Sequence, residues 1–331
     1  MARKVIKQPH ERRRLERQGL GALKLDLISF VATDKVRLPG LLYRPDKVTK
    51  KAAVWLHGMG DNGVFYNPTR INALGEALTK NGIALLAFNN RGAHNRKGLN
   101  IADETLPEED RRYQGGTHYE LIAECVKDID GAADFLAEQG FPELYLMGHS
   151  TGANKICAYH VRAKKNVYKK YILAGPGDDA GLFFTELGEQ RYWQALRYAA
   201  AKIDVGQPLH VMPKYTGMYP FSARSARDIL DPDGAYNTFP YYEALHGRLG
   251  RKPLFEEYRR IDKPALVIIG EKDEFMSTAG GAEGALKLLM KHTSNAQLKQ
   301  ADFMTVTGAD HGFHDHETEF AEKISDWLAY D

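Results

Sequence analysis

The sequence predicts an α/β protein, a mostly parallel central sheet with helices on both faces and one inserted, mainly helical cap. Three observations predict it. From residue 51 onward, short apolar runs alternate with segments of helical periodicity. Runs that are apolar at nearly every position belong to strands buried on both faces, as parallel strands are. Finally, the pentapeptide Gly148-His149-Ser150-Thr151-Gly152 stands at a strand-to-helix junction, between the run 144–147 and a helix-like segment over 153–162.

The elements follow in order. Residues 25–31 alternate partly, and 35–43 follow a Thr-Asp turn, which predicts an opening antiparallel pair. Apolar runs at 52–56, 83–88, 144–147, 171–174, 265–269 and 300–306 predict the remaining strands. Asn67-Pro68 has the form of an N-cap with proline at the first helical position, and Asn81-Gly82 closes that helix. Thr117 and Glu120 have capping-box spacing ahead of Leu121, Ile122, Cys125, Ile129 and Leu136, and Gly140 ends that helix. The last helix, over 317–330, buries Phe320, Ile324, Trp327 and Leu328.

Between the strands ending at Ala174 and starting at Ala265 lie about 90 residues, far beyond the usual αβ connection. This stretch is rich in aromatics, among them Phe183, Phe184, Tyr192, Trp193, Tyr215, Tyr219, Phe221, Tyr236, Phe239, Tyr241 and Tyr242. The expected organisation is therefore a basic N-terminal extension at 1–24, core at 25–177 and 263–331, and a cap insertion at 178–262. The aromatics and Arg191, Arg197, Arg224 and Arg227 suggest a wide pocket, although an aromatic stripe serves equally well as core.

Composition narrows the partners. The chain has 331 residues, 43% hydrophobic and 27% charged, with a net charge of +2 and a pI near 8.3. That balance implies no polyanionic partner, so no nucleic acid is expected. Arg12-Arg13-Arg14 reads as a solvated terminus; with no apolar segment after it, it is neither a secretory nor a twin-arginine signal. No stretch reaches the roughly 18 apolar residues of a membrane span. Two cysteines, Cys125 and Cys157, make no disulfide framework, and a reducing, cytoplasmic setting is expected.

Gly-x-Ser-x-Gly at such a junction describes a nucleophile elbow, a turn so tight that flanking side chains must be nearly absent. A serine hydroxyl needs a base, a group to orient that base, and donors for the developing oxyanion. The base candidate is His311, just after the final predicted strand; His314 and His316 compete, or form the polar start of the last helix. The acid candidate is Asp273, on the loop after the strand at 265–269, with Glu274 as the local alternative and Asp178 and Asp179 as remote ones. The order Ser, acid, His is the one this scaffold requires. Oxyanion donors are expected from the backbone N–H groups of Thr151, which follows the nucleophile, and Met59, in the loop His57-Gly58-Met59-Gly60. His57 is expected to brace that loop.

Two other readings of these residues are weaker. His311, His314 and His316 have no second ligand cluster to complete a metal site. Gly58-Met59-Gly60-Asp61-Asn62-Gly63 matches the dinucleotide fingerprint, but the next strand ends Asn89-Asn90-Arg91 with no carboxylate for a ribose. No metal and no organic cofactor is expected.

Together, His57-Gly58, the elbow, Asp273 and His311 resemble the α/β-hydrolase superfamily from about residue 25 to the C-terminus. Within it, the elbow and Phe221-Ser222-Ala223-Arg224-Ser225-Ala226-Arg227 are similar to a poorly characterised family that includes fungal siderophore esterases. The resemblance implies the α/β-hydrolase fold and hydrolysis of esters in fairly bulky polar molecules. The expected partner is a small-molecule ester; an amidase or peptidase with the same triad, and a non-catalytic receptor, are the alternatives.

Overall fold

Alternate residues of the central strands enter two different apolar cores. Ala52, Val54 and Leu56 face one and Ala53 and Trp55 the other; Ala265, Val267 and Ile269 divide from Leu266 and Ile268 in the same way. A sheet buried on both faces needs no polar side, and for that reason its strands read as continuous apolar runs. The computed structural model of the chain describes residues 23–330, apart from 61–62, 219 and 294–300. The N-terminal extension thus falls almost entirely outside the described residues, as do Asp61, Asn62 and Tyr219.

Among the described residues the strands are β1 (Lys24–Val31), β2 (Arg37–Arg44), β3 (Lys51–Leu56), β4 (Ile83–Phe88), β5 (Lys97–Asn100), β6 (Arg112–Gly115), β7 (Glu143–His149), β8 (Tyr168–Ala174), β9 (Ala265–Gly270) and β10 (Ala301–Val306). The main sheet runs β1-β2-β4-β3-β7-β8-β9-β10. β2 pairs antiparallel with both β1 and β4, and every pairing from β4 to β10 is parallel. The helices are α1 (Pro68–Lys80), α2 (Cys125–Glu138), α3 (Thr151–Arg162), α4 (Asp179–Leu187), α5 (Glu189–Asp204), α6 (Ala223–Leu230), α7 (Tyr241–His246), α8 (Glu256–Arg259), α9 (Ala282–Thr293) and α10 (Glu317–Ala329).

Helices α1 and α10 cover one face through Ile71, Leu74, Phe320 and Ile324; α2, α3 and α9 cover the other through Ile129, Ile156 and Leu289. The stretch between β8 and β9 holds α4 to α8. Its Tyr192, Tyr236, Phe239 and Tyr241 are buried and join the core on the α3 side. Most of the aromatics singled out in this stretch therefore pack as core. Both cysteines are free and buried.

Three local expectations are corrected. Thr117 and Glu120 form no capping box. The Thr117 hydroxyl donates to the Gly92 carbonyl and accepts from the Gly60 N–H, and Glu120 pairs with Lys155. The start of this helical region, a 3-10 turn at Ile122–Glu124, is instead capped from far away: Asp228 Oδ2 accepts from the Ile122 N–H at 2.6 Å. Asn67 does occupy the N-cap position of α1, but its side chain makes no cap hydrogen bond. The antiparallel pair β5–β6 was not anticipated, because two four-residue strands twelve residues apart carry too little periodicity to stand out.

Arg91, in the segment after β4 where the dinucleotide fingerprint would need a carboxylate, is itself buried and held by carboxylates. Its guanidinium bonds Asp128 at 2.7 and 2.9 Å and Asp34 at 3.0 Å. It ties β4 to α2 and to the turn after β1. The neighbouring Asn90 N–H donates to His57 Nε2, so residues after β4 brace the loop after β3.

Candidate active site

β7 delivers Ser150 to the edge of the sheet, and the turn there is forced. Ser150 has φ 56° and ψ −126°, a conformation that costs a non-glycine residue roughly 1–3 kcal/mol. Its N–H donates to the Ala174 carbonyl at 2.8 Å, which locks the turn to β8. The flanking glycines are required by close packing. A Cβ on Gly148 would lie 2.3 Å from the Gly152 carbonyl oxygen, and one on Gly152 would lie 2.3 Å from that of Leu56. The loop after β3 passes directly over the serine, since a Cβ on Gly58 would meet Ser150 Cβ at 2.9 Å. Thr151 is the first residue of α3, whose opening N–H groups lack partners within the helix.

His311 and Asp273 come from the loops after β10 and β9, adjacent parallel strands ending at the same edge. His311 Nδ1 lies 2.9 Å from both Oδ1 and Oδ2 of Asp273, which is buried. A carboxylate accepting there requires Nδ1 to carry the proton, so the lone pair of the neutral ring sits on Nε2. Asp273 also accepts from the Phe275 N–H at 3.0 Å, which fixes its own orientation. The alternatives make no hydrogen bond to the imidazole among the described residues. Glu274 accepts from the backbone N–H of His311 at 3.1 Å, Asp178 caps α4 through the Gly181 N–H, and Asp179 faces the cavity described below.

His149, the unspecified second position of the pentapeptide, turns out to hold the site together. Its Nε2–H donates to the His311 carbonyl at 2.7 Å. From α1, Arg70 Nη1 donates to the Gly312 carbonyl at 3.1 Å. The His311 ring centre is 4.7 Å from that of His149 and 4.5 Å from that of Phe275. His314 binds Asp310, and His316 stands at the N-cap of α10 beside Glu319, so both belong to the polar approach to that helix. Nothing in the sequence pattern separated His149 from any other residue permitted at that place.

A cavity of about 480 Å³ opens over this arrangement, lined by Ser150, His311, Met59, Asp179, Phe183 and Phe221 among others. Ser150, His311 and Met59 thus share one space, with Asp273 behind the imidazole and Thr151 beneath the serine. Arg191, Arg197, Arg224 and Arg227 do not line this cavity, contrary to expectation. Arg224 donates to the Tyr119 carbonyl and Arg227 pairs with Asp231; the arginine that does line the cavity is Arg70.

Two buried histidines resist protonation. His57 is pushed down to about 3 from 6.5, first by burial and then by the charge of Lys155; burial likewise holds His149 well below its usual value. The unfolded chain takes up these protons near pH 6.5, whereas the folded chain refuses the one on His57 until about pH 3. Their contribution is complete above pH 6.5 and is lost as pH falls through that window. Urea midpoints are therefore expected to drop between about pH 7 and 4. His57→Gln should flatten the slope by up to about 1.4 kcal/mol per pH unit. Equal slopes for variant and wild type would contradict the assignment.

Comparison with known proteins follows the same lines. No curated protein matches the chain. An esterase of Pyrococcus furiosus is similar at 16% identity and TM-score 0.56, over 92% of this chain and 91% of its own. Est1E of Butyrivibrio proteoclasticus, solved with ferulic acid bound, is similar at 16% identity and TM-score 0.58, over 90% and 97%. A monoacylglycerol lipase of Paleococcus ferrophilus is similar at 18% identity and TM-score 0.53, over 92% and 98%. At these identities the likeness concerns the fold, which is that of the α/β-hydrolases. No helix among the described residues is long and apolar enough to cross a membrane. The family model described as "Protein of unknown function (DUF1749)" matches residues 118–329, a stretch holding the elbow, the Phe221–Arg227 segment, Asp273 and His311, and the chain belongs to that family.

Proposed function

We propose that the protein is a serine hydrolase that cleaves carboxylic esters through an acyl-enzyme intermediate. One observation carries this reading: His311 Nδ1 lies 2.9 Å from both oxygens of Asp273, while the same ring lines a cavity with the strained Ser150. Ser150 Oγ attacks the acyl carbon as His311 Nε2 takes its proton. Asp273 holds the tautomer and stabilises the imidazolium. The N–H groups of Met59 and Thr151 receive the oxyanion. His311 then protonates the leaving alcohol, and water, with His311 again as base, releases the acid. Every step uses the chain's own residues.

Residues 178–262 act as a cap, with α4 and Phe221 walling the cavity over the nucleophile. The esterase and the monoacylglycerol lipase among the similar structures favour an ester over an amide as the bond cleaved. The test is turnover of p-nitrophenyl esters by the wild-type protein and its loss in Ser150→Ala.

A further inference from the structure

The mechanism above takes no group from α4, yet α4 forms one wall of the cavity. Asp179, Leu182, Phe183 and Glu186 all line it. Their spacing of three, four and seven residues puts them on one face of the helix. That face is acidic at its two ends and apolar between them. Asp179 Oδ2 is buried and accepts no hydrogen bond of good geometry among the described residues, because the Tyr236 hydroxyl near it is directed at Thr151 Oγ1, 3.5 Å away. A desolvated carboxylate oxygen without a partner is costly, and a cationic ligand group reaching it from the cavity would offset that cost.

Among the described residues no lysine or arginine is paired with Asp179. Burial raises its pKa to about 6, and the imidazole of His311 and the Tyr236 hydroxyl oppose that rise. Arg70, also in the cavity wall, is committed to the Gly312 carbonyl and answered by the charges of Glu317 and Asp310. Asp179 lies within electrostatic reach of His311, so a group seated on it is a few bonds from the scissile carbonyl. Leu182 and Phe183 then accept methylenes. Glu186, two turns along and roughly 10 Å away, stands exposed at the outer end, where it draws cations inward.

We propose that this face of α4 is a cation subsite, and that the preferred substrate is a carboxylic ester carrying an ammonium group seated on Asp179. This rests on the hydrolase reading and names its substrate class. A charge-assisted ammonium–carboxylate contact in such a site changes affinity by about tenfold to a hundredfold.

Two matched pairs of esters test it. In the first the charge is on the acyl side: p-nitrophenyl 3-aminopropanoate against p-nitrophenyl butanoate. In the second it is on the alcohol side: 2-(trimethylammonio)ethyl butanoate against 3,3-dimethylbutyl butanoate. Each kcat/KM is divided by the rate of the same ester with hydroxide. The cationic member should lead by at least about tenfold in one pair, and Asp179→Asn, or Asp179→Ser should the first not fold, should remove that lead. A ratio near one in both pairs, or a lead that survives both substitutions, overturns the subsite. The second pair is also titrated calorimetrically against Ser150→Ala with Asp179 intact or replaced. Tighter binding of the cation that depends on Asp179, without turnover in wild type, would leave the subsite standing and refute the hydrolase. Turnover without any charge preference would do the reverse.

Discussion

Ser150→Ala is expected to lower kcat on p-nitrophenyl esters by at least about 10⁴-fold, with the fold intact. The side chain is small and half-buried, and its hydroxyl caps nothing in α3, so removing one oxygen disturbs no packing. On the proposed mechanism what disappears is the atom that forms the acyl-enzyme, and the oxyanion donors alone leave only a residual rate. The backbone at this position offers an independent check. An alanine at φ 56° inherits the same strain, whereas Ser150→Gly relieves it and should raise stability by about 1 kcal/mol while being equally inactive. Thermal unfolding and steady-state kinetics on the three proteins read both effects. A Ser150→Ala variant retaining more than about a tenth of wild-type kcat would remove Ser150 from the chemistry.

The second large effect separates two adjacent carboxylates. Asp273→Asn should reduce kcat by about 10³–10⁴-fold, because an amide facing Nδ1 no longer enforces the tautomer and offers no charge to the imidazolium. Glu274→Gln should cost about tenfold or less. Glu274 meets the His311 backbone N–H, and the glutamine carbonyl still accepts that bond. The loss with Asp273→Asn should be concentrated in kcat rather than KM, since Asp273 lies behind the imidazole, out of contact with substrate. A reversed order of the two variants would move the orienting role to Glu274.

Much of this arrangement was legible in the sequence, for a physical reason in each case. Residues 83–88 are apolar throughout because β4 is covered on both faces, so the strand could be placed without an alternation pattern. The elbow was legible because steric exclusion leaves glycine alone at 148 and 152. Asp273 and His311 follow adjacent parallel strands, and parallel strands deliver their loops to one edge.

The parts that were not legible depend on partners distant in the chain. Thr117 and Glu120 carry a helix-start signal, but a serviceable local cap lost to bonds with Gly60, Gly92 and Lys155. The true cap, Asp228, lies 106 residues from the N–H it receives. His149 was an unspecified letter in a motif until the fold set the His311 carbonyl 2.7 Å from its ring. The acidic face of α4 has ordinary helical spacing and resembles a solvated surface. Only the placement of that face over Ser150 and His311 makes the charge of Asp179 informative.

The most direct test of the central claim is chemical trapping of the nucleophile. A fluorophosphonate should add once per chain, the adduct should map by peptide mass spectrometry to Ser150, and His311→Gln should slow its formation by orders of magnitude. Wild-type protein that stays unmodified, or that carries the adduct on another residue, would contradict the account.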